Sequence, residues 1–171
     1  MGSCLTVRLS PPAPIGEIDP ACDFDLFDCG EPTLDHWLRR HARSSEGKTA
    51  RTYCVAAGGR LAVYCCVAAG SVQRHELPKA LTRNTPEIIP TIVVGRLAVD
   101  RSFQGQGLGQ DLVRHVLRQG LSASAAIGVR AVIVHPLTEA LTPFYRRLGF
   151  IDMPGDPLGM FIAIETIAKT L

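Results

Sequence analysis

No apolar run in this chain of 171 residues approaches the roughly twenty residues that a membrane-spanning helix needs. The longest, such as Leu61 to Ala69, stop far short, so no membrane is expected among its partners. A dominant charge is lacking too: 18 Lys+Arg stand against 16 Asp+Glu, and the net +2 by itself implies no partner. The six cysteines form no CxxC pair, and the five histidines fall at no zinc-binding spacing with them, so no metal is expected. Cys54, Cys65 and Cys66 instead lie inside apolar runs, where cysteine serves as a small buried hydrophobe, which points to a reduced, cytoplasmic protein. The opening MGSCLTVRLSPP has one arginine and no long apolar segment, so no secretory signal is expected; Gly2 and Thr6 fit the loose N-myristoylation pattern, unsupported by a basic cluster.

What is present reads as one domain over residues 1–171, long enough to bury a substantial core. Val7–Leu9 is a short expected strand, closed by Pro11, Pro12 and Pro14. Leu34, Trp37, Leu38 and His41 recur at helical spacing, with Pro32 and Thr33 as start signals and Gly47 as a stop. The other side of that helix carries Arg39, Arg40 and Arg43. Residues 51–57 and 61–72 form a hairpin about Gly58-Gly59. A short helix and a loop follow to Pro90. Residues 91–99 make the clearest strand, apolar enough for burial on both faces. Leu108, Leu112, Val116 and Val113, Leu117, Leu121 then define an amphipathic helix. Residues 129–134 are a strand, 142–148 a short helix stopped by Gly149, and 150 onward and 160–166 the last strands. The class is α/β in the mixed α+β sense.

Three glycines, Gly105, Gly107 and Gly109, sit between the strand and the long helix. Backbone N–H groups at a helix start, backed by the helix dipole, make an anion site, and glycine permits the close approach and positive φ that converge them. A simple tight turn would use the same residues. Two familiar phosphate motifs fail: Gln110-Asp111 replaces the lysine and hydroxyl of a Walker A loop, and the glycine spacing is not that of a dinucleotide fingerprint. The pattern Gln104-x-x-Gly107-x-Gly109, following Arg96-Leu97-Ala98-Val99, resembles the acetyl-CoA signature of the GNAT N-acetyltransferases. That resemblance implies a central, mostly antiparallel twisted sheet flanked by helices and split at the acetyl-CoA site. It also implies that Leu97, Ala98 and Val99 offer backbone hydrogen bonds to pantetheine, and that Gln104, Gly105, Gln106, Gly107, Leu108, Gly109 and Gln110 cradle the pyrophosphate.

Phe144-Tyr145-Arg146-Arg147-Leu148-Gly149-Phe150 resembles a second GNAT hallmark, in which the tyrosine acts as general acid toward the departing thiolate. A phenol suits that task, since its reference pKa of about 10 lies near that of a thiol. Tyr145 as a purely packing residue is the alternative, and Pro143 places the start of its helix near Thr142. The strand before the glycines contains no Asp or Glu; Glu87 and Asp100 only flank it. A lysine amine near 10.4 would need a base, whereas an α-amine near 7.7–8.0 is already about a tenth to a fifth neutral at pH 7, so the expected acceptor is an α-amine.

Phe27-Asp28-Cys29-Gly30, Leu34-Asp35, Trp37-Leu38, Ala68-Ala69-Gly70-Ser71-Val72 and Gly95 to Asp100 resemble GNAT toxins of the TacT/AtaT type over residues 22–165. This resemblance implies acetylation of the α-amine of aminoacyl-tRNA, a block on translation, a homodimer and a ribbon-helix-helix antitoxin. Arg39, Arg40, Arg43 and Arg146 are then candidate tRNA contacts, since phosphates require a basic surface. Arg96, inside an apolar strand, must border the acceptor site or find a partner. An N-terminal protein or small-molecule amine acetyltransferase is the rival enzyme, and a corepressor acting with a DNA-binding antitoxin the rival of another class.

Overall fold

The computed structural model describes residues 7–171, which leaves the Gly2 and Thr6 pattern outside. The strands are β1 (Ala13–Pro14), β2 (Arg51–Ala57), β3 (Arg60–Gln73), β4 (Ile88–Val99), β5 (Ala131–Val134), β6 (Ile151–Asp152) and β7 (Met160–Ala163). The helices are α1 (Pro32–Trp37), α2 (Arg43–Ser45), α3 (Lys79–Thr82), α4 (Leu108–Ala126), α5 (Thr142–Arg147) and α6 (Ile164–Thr170). The strands form one sheet in the order β1-β2-β3-β4-β5-β7-β6. β1–β2, β5–β7 and β6–β7 pair antiparallel, while β4 and β5 run parallel from Thr91↔Ala131 to Val94↔Val134. The mixed class with a mostly antiparallel sheet is therefore as expected.

The described chain falls into two compact units interleaved along the sequence. The first takes the residues up to Cys66 together with Arg96–Leu112; the second takes Val67–Gly95 and Val113–Leu171. In the first, Phe27, Leu34, Leu38, Leu61, Tyr64 and Ala98 belong to one buried apolar cluster. Its hairpin turns on Gly58 and Gly59, whose φ values of +57° and +79° suit a two-residue turn with both central residues left-handed. The helix from Pro32 does not run as a uniform α-helix. A π-helical turn, Leu38–Ala42, separates α1 from α2. Its wider turn brings Leu34, Leu38 and Ala42 to the buried side at intervals of four, so His41, expected on the apolar face, is exposed.

The expected strand Val7–Leu9 shrinks to a single bridge, Leu9↔Ala57. The first strand lies instead at Ala13–Pro14, inside the proline cluster expected to end it; β1 is at the edge of the sheet, where a missing N–H is tolerated.

In the second unit, Val72, Ile89, Ile133, Met153 and Phe161 form the buried cluster. β4 starts at Ile88, earlier than the expected Thr91, and the expected span 91–99 is not fully buried on both faces: Gly95 is exposed, and Ile92, Val93, Arg96, Leu97 and Val99 are half-buried. Apolar composition records a tendency to be buried, and does not supply the neighbour that would do it. The buried positions also change phase, from Ile89 and Thr91 to Val94 and Ala98. Such a change within one strand is what an extra residue in the ladder produces. The last strand ends at Ala163 rather than Thr166. Ile164 donates its N–H to Arg130 and starts α6, which buries Ile167.

Candidate functional site

The glycine turn belongs wholly to the first unit. Gly105 and Gly107 have φ of +77° and +82°, a region costly for other L-residues, and a Cβ on either would meet nothing within 4 Å. These glycines are therefore needed for backbone conformation rather than for lack of space. Residues 104–107 are exposed, and α4 begins at Leu108 with Asp111 N–H bonded back to the Gly107 carbonyl. The first N–H groups of this 19-residue helix have no partner inside it. An exposed glycine turn that leads into a helix start fits a pyrophosphate.

The Gln104 side chain also holds the turn from within the fold. Its Nε2 donates to the carbonyls of Val99 (2.9 Å) and Cys29 (3.1 Å), pinning the turn to the strand end and to the segment before α1. Leu97 and Val99 are half-buried and Ala98 buried; Gln106 is exposed, Leu108 and Gly109 buried, and Gln110 half-buried.

Sequence reasoning missed the residue beneath the turn. Asp100, noted only as a flanking acid, is 1% exposed. Its Oδ2 accepts from Asp28 N (3.0 Å) and Arg60 Nη2 (3.1 Å), and its Oδ1 from Ser102 N (2.9 Å). Burial alone would raise this carboxyl, but the two backbone donors and Arg60 outweigh it and hold it below the ordinary value of 3.8. The Ser102 contact is the helix-cap pattern of Asp two residues before the donor, and was readable locally; the Asp28 and Arg60 contacts were not. Cys29 nearby is half-buried. Burial, helped by Asp35, pushes its thiol up to about 12, so it is no nucleophile at neutral pH.

The expected tRNA-contacting arginines divide by unit. Arg39, Arg40, Arg43 and Arg96 are in the first. Arg39 Nη2 donates to the Phe27 carbonyl (2.5 Å), and the Arg43 guanidinium lies 4.3 Å from the Phe24 ring centroid, so both also brace the fold. Arg40 is exposed. Arg96 finds an aromatic partner: its guanidinium lies 4.4 Å from the Trp37 ring centroid. Trp37 stacks in turn on Tyr64 at 5.9 Å, and the Tyr64 hydroxyl donates to the Leu34 carbonyl (2.8 Å).

Tyr145 and Arg146 belong to the second unit. α5 starts at Thr142 with Pro143 in its first turn, after a separate 3₁₀ turn at Glu139–Leu141, as the proline required. Gly149, at φ +96°, stops it. Tyr145 is 6% exposed, and its ring meets Phe144 (5.0 Å) and Phe150 (5.7 Å) edge to face. Arg146 Nη2 donates to both carboxylate oxygens of Asp152, at 3.1 and 2.9 Å.

The family model described as an acetyltransferase (GNAT) domain matches residues 49–152. A tRNA-acetylating toxin of Mycobacterium tuberculosis is 36% identical over 149 residues, covering 86% of this chain and 90% of the relative. Among solved structures, AtaT complexed with acetyl-methionyl-tRNAfMet matches with a TM-score of 0.85 and 31% identity, covering 95% of this chain and 98% of that one. A KacTA–DNA complex matches at 0.80 and 32%, over 95% and 97%. A tyrosine-to-phenylalanine mutant of the AtaT toxin, bound to the C-terminus of the antitoxin AtaR and acetyl-CoA, matches at 0.77 and 30%, also over 95% and 97%. With a family model over more than half its length and a relative this similar along most of it, the chain belongs to the GNAT acetyltransferases and is similar to their TacT/AtaT-type toxins.

Proposed function

We propose that this chain is a toxin that transfers acetyl from acetyl-CoA to the α-amine of aminoacyl-tRNA and so blocks translation. The observation that carries the choice of amine is the state of the two acids flanking β4. Asp100 is buried with its oxygens already accepting three hydrogen bonds, and Glu87 pairs with Arg74 at 4.0 Å. Neither is poised to take a proton from a lysine-type ammonium, whereas an α-amine near 7.7–8.0 is already about a tenth to a fifth neutral at pH 7. The similarity to AtaT with acetyl-methionyl-tRNAfMet supports the same class of acceptor.

Bound acetyl-CoA supplies an activated thioester carbonyl. In this reading Leu97, Ala98 and Val99 hold the pantetheine arm through their backbone. The N–H groups from Gly105 to Gln110 hold the pyrophosphate, and Gln104 keeps that turn in place through Val99 and Cys29. Arg39, Arg40, Arg43, Arg96 and Arg146 face the tRNA phosphates and acceptor end. The amine attacks the carbonyl carbon, a C–N bond forms as the C–S bond breaks, and the surplus amine proton passes to water. Tyr145 donates its phenolic proton to the leaving sulfur. The chain works as one GNAT domain, as a homodimer in the cytoplasm, neutralised by a ribbon-helix-helix antitoxin. The similarities to AtaT bound to the antitoxin AtaR and to the KacTA–DNA complex favour a second, compatible role in DNA-bound repression.

Incubation with labelled acetyl-CoA and either charged or uncharged tRNA tests the main reading. Label is expected on charged tRNA alone. Label only in protein or free amines would replace it with the rival acetyltransferase.

A further inference from the structure

Acetyl-CoA binding, on the reading above, falls to backbone groups of a turn, and a turn of exposed glycines has little of its own to hold it in shape. The hydrogen bonds beneath it are concentrated on one side chain. From the structure we infer that Asp100 is the positioning residue of the pyrophosphate turn.

Three kinds of contact meet at Asp100. Its own N–H donates to the Ala62 carbonyl (2.9 Å) and its carbonyl accepts from Phe103 N (2.8 Å), fixing the point where β4 leaves the sheet. Its Oδ1 accepts from Ser102 N and caps the 3₁₀ turn Arg101–Phe103 that leads into the glycines. Its Oδ2 accepts from Asp28 N and Arg60 Nη2. The Asp28 segment then returns to the turn: Arg101 N donates to the Asp28 carbonyl (2.8 Å), and Gln104 Nε2 to the Cys29 carbonyl. Residues 27–30 and 99–104 are thus zipped together about one buried carboxylate.

That chemistry requires an ionised acid. Two donors converge on one oxygen and a third reaches the other, so at least two acceptor atoms are needed on one short side chain. An asparagine keeps the shape but turns one oxygen into an NH₂ group that faces donors. Buried donors left unmatched are costly, and the turn relieves them by moving away from the geometry that presents its N–H groups.

The experiment compares wild-type protein with Asp100→Asn, using calorimetric titration with coenzyme A and steady-state acetyl transfer to charged tRNA. Coenzyme A affinity and KM for acetyl-CoA are expected to worsen about tenfold or more, with kcat at saturating acetyl-CoA within about threefold. Affinity within twofold of wild type, or a loss confined to kcat, would overturn the assignment. Wild-type protein that binds no coenzyme A would overturn the cofactor reading, and this assignment with it. Hydrogen exchange on the wild-type chain decides the matter without a variant. The Asp28 and Ser102 amides should exchange about a hundredfold more slowly than those of Gly105 and Gly107, and equal rates would refute the staple.

Discussion

Replacing Tyr145 by phenylalanine separates chemistry from packing. The ring is 6% exposed and makes edge-to-face contacts with Phe144 at 5.0 Å and Phe150 at 5.7 Å. Tyr145→Phe keeps those contacts and removes only the hydroxyl, so it should cost at most about 1.5 kcal/mol, the usual worth of one hydrogen bond. For a chain of this length that is a drop of no more than roughly 6 °C in Tm. Tyr145→Ala empties the site instead, at about 3–5 kcal/mol and roughly 6–20 °C. If the phenol protonates the leaving thiolate, turnover in Tyr145→Phe should fall about 10²- to 10⁴-fold, with KM for acetyl-CoA little changed. The assay is single-turnover transfer of labelled acetyl to charged tRNA, run beside thermal unfolding by circular dichroism. Turnover within about fivefold of wild type would refute the general-acid role. A Tm loss in Tyr145→Phe as large as that of the alanine variant would assign the hydroxyl to a structural hydrogen bond rather than to chemistry.

Gly107→Ala has room for its methyl but must hold φ near +82°, a strain of about 1–2 kcal/mol. Coenzyme A affinity in calorimetry should weaken roughly 5- to 30-fold; an unchanged affinity would mean that the turn does not need its observed shape to bind. Affinity for charged tRNA should fall as salt rises, and Arg40→Ala should reduce the log–log slope by about 0.7–0.9, a result that an unchanged slope contradicts. The Asp100 carboxyl lies below its ordinary 3.8 because hydrogen bonds from Asp28, Ser102 and Arg60 overcome burial. Its folded value is thus the depressed one, so its stabilisation is complete above the ordinary value and is lost as pH falls through the folded one. Tm should be flat from pH 7 to about 5 and decline below about 4, less steeply in Asp100→Asn; equal acid slopes would remove Asp100 from this role.

Much of this protein was legible along the chain because the signals are local. Gly58-Gly59 between two β-rich runs specified a hairpin, and the spacing of Leu112, Val113, Val116 and Leu117 specified α4, since each needs only a few neighbouring residues. Gly105 and Gly107 announced a turn of positive φ before a helix, and Pro143 placed the start of α5. These features were enough to identify the acetyl-CoA signature and the tyrosine. Burial was harder. Residues 91–99 read as apolar, yet Gly95 is exposed and Ile92, Val93, Leu97 and Val99 are only half-buried, and the π turn after Trp37 moved the buried side from His41 to Ala42.

By itself, then, the sequence determined the hairpin, the long helix, the glycine turn and the absence of an acid within β4. The tertiary structure alone decided what holds them. It brought Arg60 and Asp28, 40 and 72 residues distant in the chain, to the Asp100 carboxylate, and laid Arg96 on Trp37. Hydrogen bonds and ring contacts of that range leave no periodicity in the sequence, because the partners become neighbours only when the chain folds.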